Sequence, residues 1–390
     1  MKNIEAQVPV AEHALLSASG AHKWLVCTPS ARLEETFPET TSEYAEEGRL
    51  AHQIAELKLR KHFIEPMKAK TFNNKLKELK ENPLFQEEML NHVDEYFNYV
   101  YKIALNYPST PYVTIEKKLD YSAYVPEGFG TGDCIIIGGD TLHIIDFKYG
   151  KGVPVSAEDN PQMKLYALGA LSAYSILYSI KKVKMSIVQP RLDSISEWEI
   201  SAADLLAWGE SIKPIAQKAF NGEGDYVPGE HCRFCRAKAL CRARAEFNMS
   251  LESYNMMKPP IISNQEVGEI LIKAQDLVKW VKDLEEYALS ECLAGNDIPG
   301  WKAIEGRSVR QFTDQEAAFK VLMANGIDEA MLYERKPLTL ASVEKLLGKA
   351  KFKELLDAYV ETPPGKPTLV PESDKREPIR RISAEEDFKS

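Results

Sequence analysis

The sequence predicts an α/β chain: a central mixed sheet flanked by helices, followed by a smaller, mostly helical C-terminal module. Three observations carry this expectation. Two short apolar runs, Cys134–Gly138 and Thr141–Phe147, meet at Gly139-Asp140, which is a hairpin signature. Asn160-Pro161 then opens an apolar stretch with the residue types favoured at an N-cap and a first helical turn. Beyond Ser250 the texture changes: Asn264–Leu293 reads as a long amphipathic helix, and residues 296–360 as a small mixed or helical module.

The elements follow in order. Residues 13–36 read as broken helix, with Trp24 and Leu25 as burial candidates. Glu43–Leu59 reads as a helix whose Leu50, Ile54 and Leu57 share one side. Phe85–Ile103 is a second, aromatic-rich helix, and Thr110–Leu119 a strand. After the hairpin, Gly150–Ala157 is a loop and Asn160 caps a helix running to about Tyr178. Val183–Gln189 is a strand with Glu197–Ile200 as its partner, and Ala202–Phe220 is a helix. Lys258-Pro259-Pro260 punctuates the chain. The expected organisation is therefore a first domain over 1–250, a helical linker over 251–295, and a small module over 296–390 with a flexible, Pro- and charge-rich tail from 361.

No stretch approaches the roughly 18–20 apolar residues of a membrane span. Met1–Ala18 carries Glu5 and Glu12 and no basic segment leading into an apolar run, so no signal peptide is expected, and the cytoplasm is the expected location. Six cysteines in so long a chain argue against a disulfide framework. A net charge of −9 does not mark a nucleic-acid binder, so the distribution of charge matters more than its sum. Lys58–Lys80 holds eight basic residues against two acids, and Arg233, Arg236, Lys238, Arg242 and Arg244 surround the clustered cysteines. Both patches could meet phosphates, and solvated helix faces explain the first equally well.

The hairpin carries chemistry. With Gly139-Asp140 as the turn, Gly138 faces Thr141, and counting outward brings Asp133 opposite Asp146. Alternation along the strand places Lys148 on the same side as Asp146. Two adjacent carboxylates repel unless a cation lies between them, and Mg²⁺ or Mn²⁺ is the natural one. The bland alternative is a pair of strand-end acids beside a surface lysine. Gln162 and Tyr166, four apart on the following helix, share one face that could point at the strand ends. His52 is a possible metal ligand on the early helix, or an ordinary helical histidine.

Taken together, Gly48-Arg49-Leu50-Ala51-His52, Gly132-Asp133, Asp146-Phe147-Lys148 and Gln162-Met163-Lys164-Leu165-Tyr166 resemble, in order and spacing, the motif series of RecB-like PD-(D/E)XK nucleases. That series occurs in the RecB and AddB nuclease domains and in CRISPR-associated exonucleases. The resemblance implies a PD-(D/E)XK restriction-endonuclease-like core. It implies His52, Asp133, Asp146 and the Phe147 carbonyl as metal ligands, with Lys148 as the catalytic lysine. It places Gln162 and Tyr166 beside the site, Glu116 as a supporting residue, and Glu47 as a weaker candidate.

Cys232-x₂-Cys235-x₅-Cys241 supplies three soft donors in one short segment. Four thiolates suit either Zn²⁺ or a 4Fe–4S cluster, and spacing alone does not decide between them. His231 offers a local fourth ligand for zinc, and Cys27 is the alternative. The same resemblance, one cysteine before the nuclease core and a C-x₂-C-x₅-C trio after it, implies a 4Fe–4S cluster on Cys27, Cys232, Cys235 and Cys241. Cys134 and Cys292 read as ordinary buried thiols.

Gly300-Trp301, Glu305–Arg310, Glu344–Gly348 and Pro371–Arg376 resemble a phage and prophage protein family, across nearly the whole chain. That implies a phage- or prophage-encoded nuclease acting on DNA with free ends in recombination or replication. Phage single-strand-binding or recombination proteins are its expected partners, and an oligomer is compatible. Arg307 and Arg310 could touch nucleic acid or pair with nearby acids. Two other functions stay open at this level: a non-catalytic nucleic-acid-binding protein on the nuclease fold, and a zinc-stabilised interaction module.

Overall fold

The computed structural model describes residues 14–38, 42–251, 262–306, 310, 312–333, 337–361, 368–372, 374 and 376–377. The expectations for most of the segment before residue 18, for Lys258–Pro260, for Arg307 and for most of the tail beyond 361 lie outside the described residues. Packing divides the chain into two units, Met1–Ser290 and Glu291–Ser390.

The first unit is built on a five-stranded mixed sheet in the order β1-β2-β3-β4-β5. Its strands are β1 Tyr112–Asp120, β2 Phe129–Gly138, β3 Thr141–Phe147, β4 Lys182–Gln189 and β5 Ser194–Ser201. The hairpin register is the one counted from sequence: Gly138 pairs with Thr141 and Cys134 with Ile145. β3 and β4 run parallel, joined by a crossover helix, while the other neighbours are antiparallel.

Nine helices of this unit are described: α1 Ala21–Trp24, α2 Ser30–Glu35, α3 Glu43–Phe63, α4 Ala69–Lys80, α5 Glu87–Leu105, α6 Pro161–Tyr174, α7 Ala202–Asn221, α8 Arg242–Met249 and α9 Asn264–Leu293, whose last turn crosses the division. α3 starts at Ser42, whose hydroxyl accepts from the Ala45 amide. α6 starts as its sequence requires, with Asn160 accepting from the Gln162 and Met163 amides ahead of Pro161. It ends at Tyr174, four residues short of the expected Tyr178.

The sheet separates two apolar layers. On one face α6 and α7 pack on Ile135, Ile137, Leu142, Ile144, Val183, Met185 and Ile187. On the other, α3 and α5 pack on Cys134, Ile136, Ile145, Phe147 and Val188. Because α6 is the buried crossover, Met163 through Leu171 are buried without a break, and all of these but Lys164 are apolar or glycine. Asp146, in alternation with Leu142 and Ile144, faces the α6 side, where Gln162 Nε2 points toward it, at the end of the hairpin away from its turn.

The helix expected as a linker, α9, is packed onto the cysteine segment. Arg244 of α8 is fully buried and grips Asp276 at 2.9 and 3.0 Å and Asp283 at 2.6 Å. Trp280 donates to the Ala239 carbonyl at 3.1 Å.

The second unit, among its described residues, is helical: α10 Gln315–Ala324, α11 Leu340–Leu347 and α12 Lys349–Leu356. Phe312, Phe319 and Tyr333 stack edge to face within it, at 5.9 and 5.4 Å. No helix among the described residues is long and apolar enough to cross a membrane.

Candidate metal centre

The residues expected at the site converge where the hairpin leaves the sheet. His52 comes from α3, Glu116 from β1, Asp133 from β2, and Asp146 and Lys148 from the end of β3. One nitrogen of His52 and one oxygen each of Glu116 and Asp133 lie within 4.8 Å of one another. His52 Nδ1 is 3.6 Å from Asp133 Oδ1 and 3.9 Å from Glu116 Oε1. A donor set of one imidazole and two carboxylates fits a hard divalent cation such as Mn²⁺ or Mg²⁺.

Asp146 stands beside this trio rather than within it. Its side chain is buried and contacts Lys148, whose ammonium lies 3.1 Å from Oδ2 and 3.3 Å from Oδ1. The closer contact lacks hydrogen-bond geometry, which leaves Oδ2 as a buried oxygen without a hydrogen bond. That oxygen, paired with the Lys148 charge and buried without a hydrogen bond, keeps a lone pair for a further ligand position. Phe147, whose carbonyl is the expected ligand, donates from its amide to Asp133 Oδ2 at 2.7 Å, which ties the residue to that carboxylate. Its ring stacks on Tyr96 at 4.6 Å and tilts against His52 at 5.2 Å, so it fixes the imidazole from below.

Gln162 connects the helix to the strand. Its Oε1 accepts from Lys148 at 3.3 Å, and its Nε2 donates toward Asp146 Oδ1 at 3.4 Å and to the Tyr166 hydroxyl at 3.3 Å. The i,i+4 spacing places both side chains on one face of α6, as expected. Tyr166 fits only because Gly130 lies beneath it; a Cβ there would meet its ring at 2.8 Å.

Electrostatics explain how three carboxylates coexist. Burial disfavours charge on His52, but Asp133, Glu116 and Asp146 outweigh it and lift the imidazole to about 9. Burial, and the carboxylates of Asp146 and Glu116, push Asp133 upward against the pull of His52. Burial also works against charge on Lys148, but Asp146 and Asp133 raise it above the ordinary lysine value. Without a metal, the protonated His52 supplies the positive charge the carboxylates need.

The sequence marks Glu116 only as a supporting residue, on the strength of a resemblance. The structure puts it within reach of His52 and Asp133. It is one of four non-glycine residues with positive φ among those described, at 49°. Neighbouring Ile115 packs with α3 and α5, while Leu119, which strand alternation would put beside it, packs with α6. The strand thus changes layers around Glu116.

The four cysteines expected to act together line one cavity, with His231, Lys23 and Arg244 among its other walls. Cys27 reaches the trio because α1 and α2 are fastened there. Lys23 and Glu34 form a buried ion pair at 2.6 Å, Glu34 also accepts from the Arg236 amide at 2.8 Å, and Thr28 donates to the Glu223 carbonyl at 2.5 Å. Gly224, at φ 104°, makes room for Thr28; a Cβ would lie 2.3 Å from its hydroxyl.

The donors suit a soft metal, and their spacing bears on which one. Zinc with Zn–S bonds of about 2.3 Å would hold its sulfurs about 3.8 Å apart. Among the described residues no three cysteine sulfurs lie mutually within 4.8 Å, which is wider than a closed zinc site. The space enclosed, about 20 Å³, admits one water-sized atom, so a cluster would need the thiols to swing outward. Burial, followed by the nearby Glu34 carboxylate, pushes the Cys235 thiol up to about 12, so the thiolate form is disfavoured at neutral pH. Cys232 accepts the Gly229 amide at 3.3 Å. His231 keeps Nδ1 for any ligation, because Nε2 is 2.9 Å from the Val227 carbonyl. Cys134 is buried among apolar neighbours, and Cys292 is half-buried rather than buried.

Fold and site together define an α/β chain with a carboxylate–histidine–lysine centre at one end of a mixed sheet. The chain belongs to the family described as "Protein of unknown function (DUF2800)", which matches it over residues 13–377. It is also similar to a solved structure described as "Crystal structure of SSO0001", at 17% identity over 50% of this chain and 85% of that one, with a TM-score of 0.23.

Proposed function

We propose that the chain is a metal-dependent deoxyribonuclease of the PD-(D/E)XK type that processes DNA ends. The observation that carries this reading is the meeting of His52, Glu116 and Asp133 within 4.8 Å, beside an Asp146–Lys148 ion pair. Metal-assisted phosphodiester hydrolysis uses a held cation and a fixed positive charge next to it, and these residues can provide both.

In this reading His52, Glu116 and Asp133 hold Mg²⁺ or Mn²⁺, with Asp146 Oδ2 as the fourth candidate. The bound cation would lower the pKa of a water and polarise a phosphoryl oxygen. Lys148 stays charged and neutralises developing negative charge on the phosphate. Asp146 and Gln162 hold its ammonium between them. Tyr166, kept a neutral phenol by burial, steadies Gln162. The cysteines serve separately, with Cys27, Cys232, Cys235 and Cys241 holding a 4Fe–4S cluster that closes a loop of about 200 residues and so restricts the unfolded chain.

The test is a nuclease assay on full-length protein purified without oxygen. End-labelled linear single- and double-stranded DNA and closed circles are incubated with Mg²⁺ or Mn²⁺, with Lys148→Ala and Asp146→Ala in parallel. Digestion by the parent alone supports the reading, and sparing of circles makes it an exonuclease. DNA binding without digestion on any substrate favours a non-catalytic binding protein instead. Iron and zinc analysis of the same preparation separates the cluster from a zinc site.

A further inference from the structure

The end of β4 ties together parts of the candidate centre that lie far apart in the sequence. β4 runs parallel to β3, so its last residues reach the level of the centre. Phe147 pairs with Val188, and the Lys148 amide donates to the Val188 carbonyl at 2.9 Å. Arg191 follows directly in a short 3₁₀ turn, Pro190–Leu192. Its side chain is 8% exposed. Nη1 lies 3.0 Å from Oε2 of Glu47, which is on α3 and also largely buried. Glu47 precedes His52 by five residues on the same helix. The Arg191 guanidinium also sits 4.6 Å above the ring of Tyr149, the residue after Lys148. Gln189 completes the tie: its Oε1 accepts from the Val155 amide at 2.7 Å and its Nε2 donates to the Val153 carbonyl at 3.1 Å. That pins the loop between Lys148 and the Gln162 helix.

Such a pair is a costly way to gain stability. Two desolvated charges commonly do no better than apolar residues of the same size. Arg191 adds to the cost, since its Nε is buried without a hydrogen bond. What an ion pair supplies and an apolar contact does not is register. Leu50, Ile54 and their neighbours hold α3 against the sheet, but apolar packing has little directional preference. The Glu47–Arg191 contact lies in the N-terminal part of α3 and can limit sliding of the helix along its axis, and with it the place of His52 relative to Asp133.

We propose that Arg191 is a positioning residue for the metal centre: through Glu47 and Tyr149 it holds the His52 helix in register with the Asp146–Lys148 strand. The inference rests on the metal-dependent reading of the centre. Supporting contacts of metal ligands typically change affinity by about 10- to 100-fold when removed.

The experiment measures Mn²⁺ binding to the full chain by electron paramagnetic resonance, with pulsed detection of nitrogen coupled to the ion. The proteins are the parent, His52→Ala, Arg191→Met, Glu47→Gln, Arg191→Lys and the exchanged pair Glu47→Arg with Arg191→Glu. The parent shows a nitrogen coupling that His52→Ala lacks. Arg191→Met and Glu47→Gln lose at least about tenfold in affinity and weaken that coupling while remaining folded by circular dichroism. Arg191→Lys or the exchanged pair restores part of both. Parent-like affinity and coupling in folded Glu47→Gln and Arg191→Met overturn the proposal. Glu47→Gln alone decides the matter if Arg191→Met does not fold, because it removes the charge of the pair while keeping the side chain's size and leaving Arg191 in place. A parent that binds no Mn²⁺ removes the metal reading itself, which is a different result from a parent that binds and variants that bind equally.

Discussion

Glu116 and Asp133 stand opposite each other on β1 and β2, between the Ile115–Cys134 and Lys117–Gly132 pairs, and Glu116 holds this place with a left-handed backbone at φ 49°. An ordinary side chain pays roughly 1–3 kcal/mol for such a conformation. The position also sets two carboxylates side by side. Both costs make sense if the carboxylate is needed where it is. Glu116→Gly should relieve them and make the metal-free protein more stable by about 1 kcal/mol, less than the full strain because glycine is floppier when unfolded. The same variant should bind Mn²⁺ at least about tenfold more weakly. Urea unfolding in chelator and a Mn²⁺ titration measure the two halves. A less stable Glu116→Gly protein, or one with parent-like Mn²⁺ affinity, contradicts the strain argument.

In the proposed reaction Lys148 would act as a fixed charge rather than a base. Its half-buried ammonium is held in the charged form by Asp146 and Asp133, above the ordinary lysine value. Lys148→Ala should cost about 10²–10³ in turnover. Lys148→Arg should recover little of that, because a wide planar fork replaces a point donor held between Asp146 and Gln162. Gln162→Leu should cost less, about tenfold, since it leaves the charge in place and loosens it. Across neutral pH no loss of activity should trace to Lys148 losing its proton. Single-turnover rates of the three variants, and a pH profile of the parent, decide this; a Lys148→Ala protein with near-parental turnover defeats it.

The docking of α9 should be acid-sensitive. Burial works to raise Asp276, but hydrogen bonds from Arg244 and Asn248 outweigh it and hold the carboxyl below its usual value. A lowered folded pKa means that the contribution to stability is fully present above the ordinary aspartate range. It is lost as pH falls through the folded value, below about 3.8. Hydrogen exchange should therefore show α9 amides opening before those of the sheet as pH drops below 4. Arg244→Met should produce the same opening at neutral pH, with a loss of roughly 3 kcal/mol from leaving Asp276 and Asp283 without their shared cation. Equal protection of α9 in Arg244→Met and parent would show that the helix is held by something else.

How much of this is legible in the sequence depends on locality. The hairpin register follows from a two-residue turn and simple counting, so the residue order alone brings Asp133 up to Asp146. The α6 start and its Gln162–Tyr166 face follow from a capping residue and helical spacing. Glu116 is harder: its place depends on a left-handed residue that reverses strand alternation, and nothing about a glutamate in a Thr-Ile-Glu-Lys run announces a positive φ. Arg191 is hidden for a different reason. It acts across 144 positions of sequence on Glu47, through a parallel strand pairing that periodicity cannot specify. α4 reads as a basic stretch rather than an element, because none of its residues is buried.

The cysteine site offers the last test, because its two halves are joined by contacts remote from the sulfurs. Cys27 is delivered by α1 and α2, and these are held by Lys23–Glu34, by Thr28 on the Glu223 carbonyl, and by the open backbone at Gly224. Gly224→Ala would force a β-carbon into the Thr28 hydroxyl at a backbone angle that alanine resists. If the four cysteines share one metal group, this substitution should act like Cys27→Ser. Both proteins should lose most of their bound iron or zinc, and with it the long-loop restraint, worth up to about 4–5 kcal/mol if it acts as a crosslink of that span. In metal-stripped protein Gly224→Ala should cost only the local strain, about 1–2 kcal/mol. Metal content and thermal unfolding before and after chelation measure each part. Full metal retention in both Cys27→Ser and Gly224→Ala would mean that Cys232, Cys235, Cys241 and His231 bind their metal without the N-terminal helices, which is the zinc arrangement.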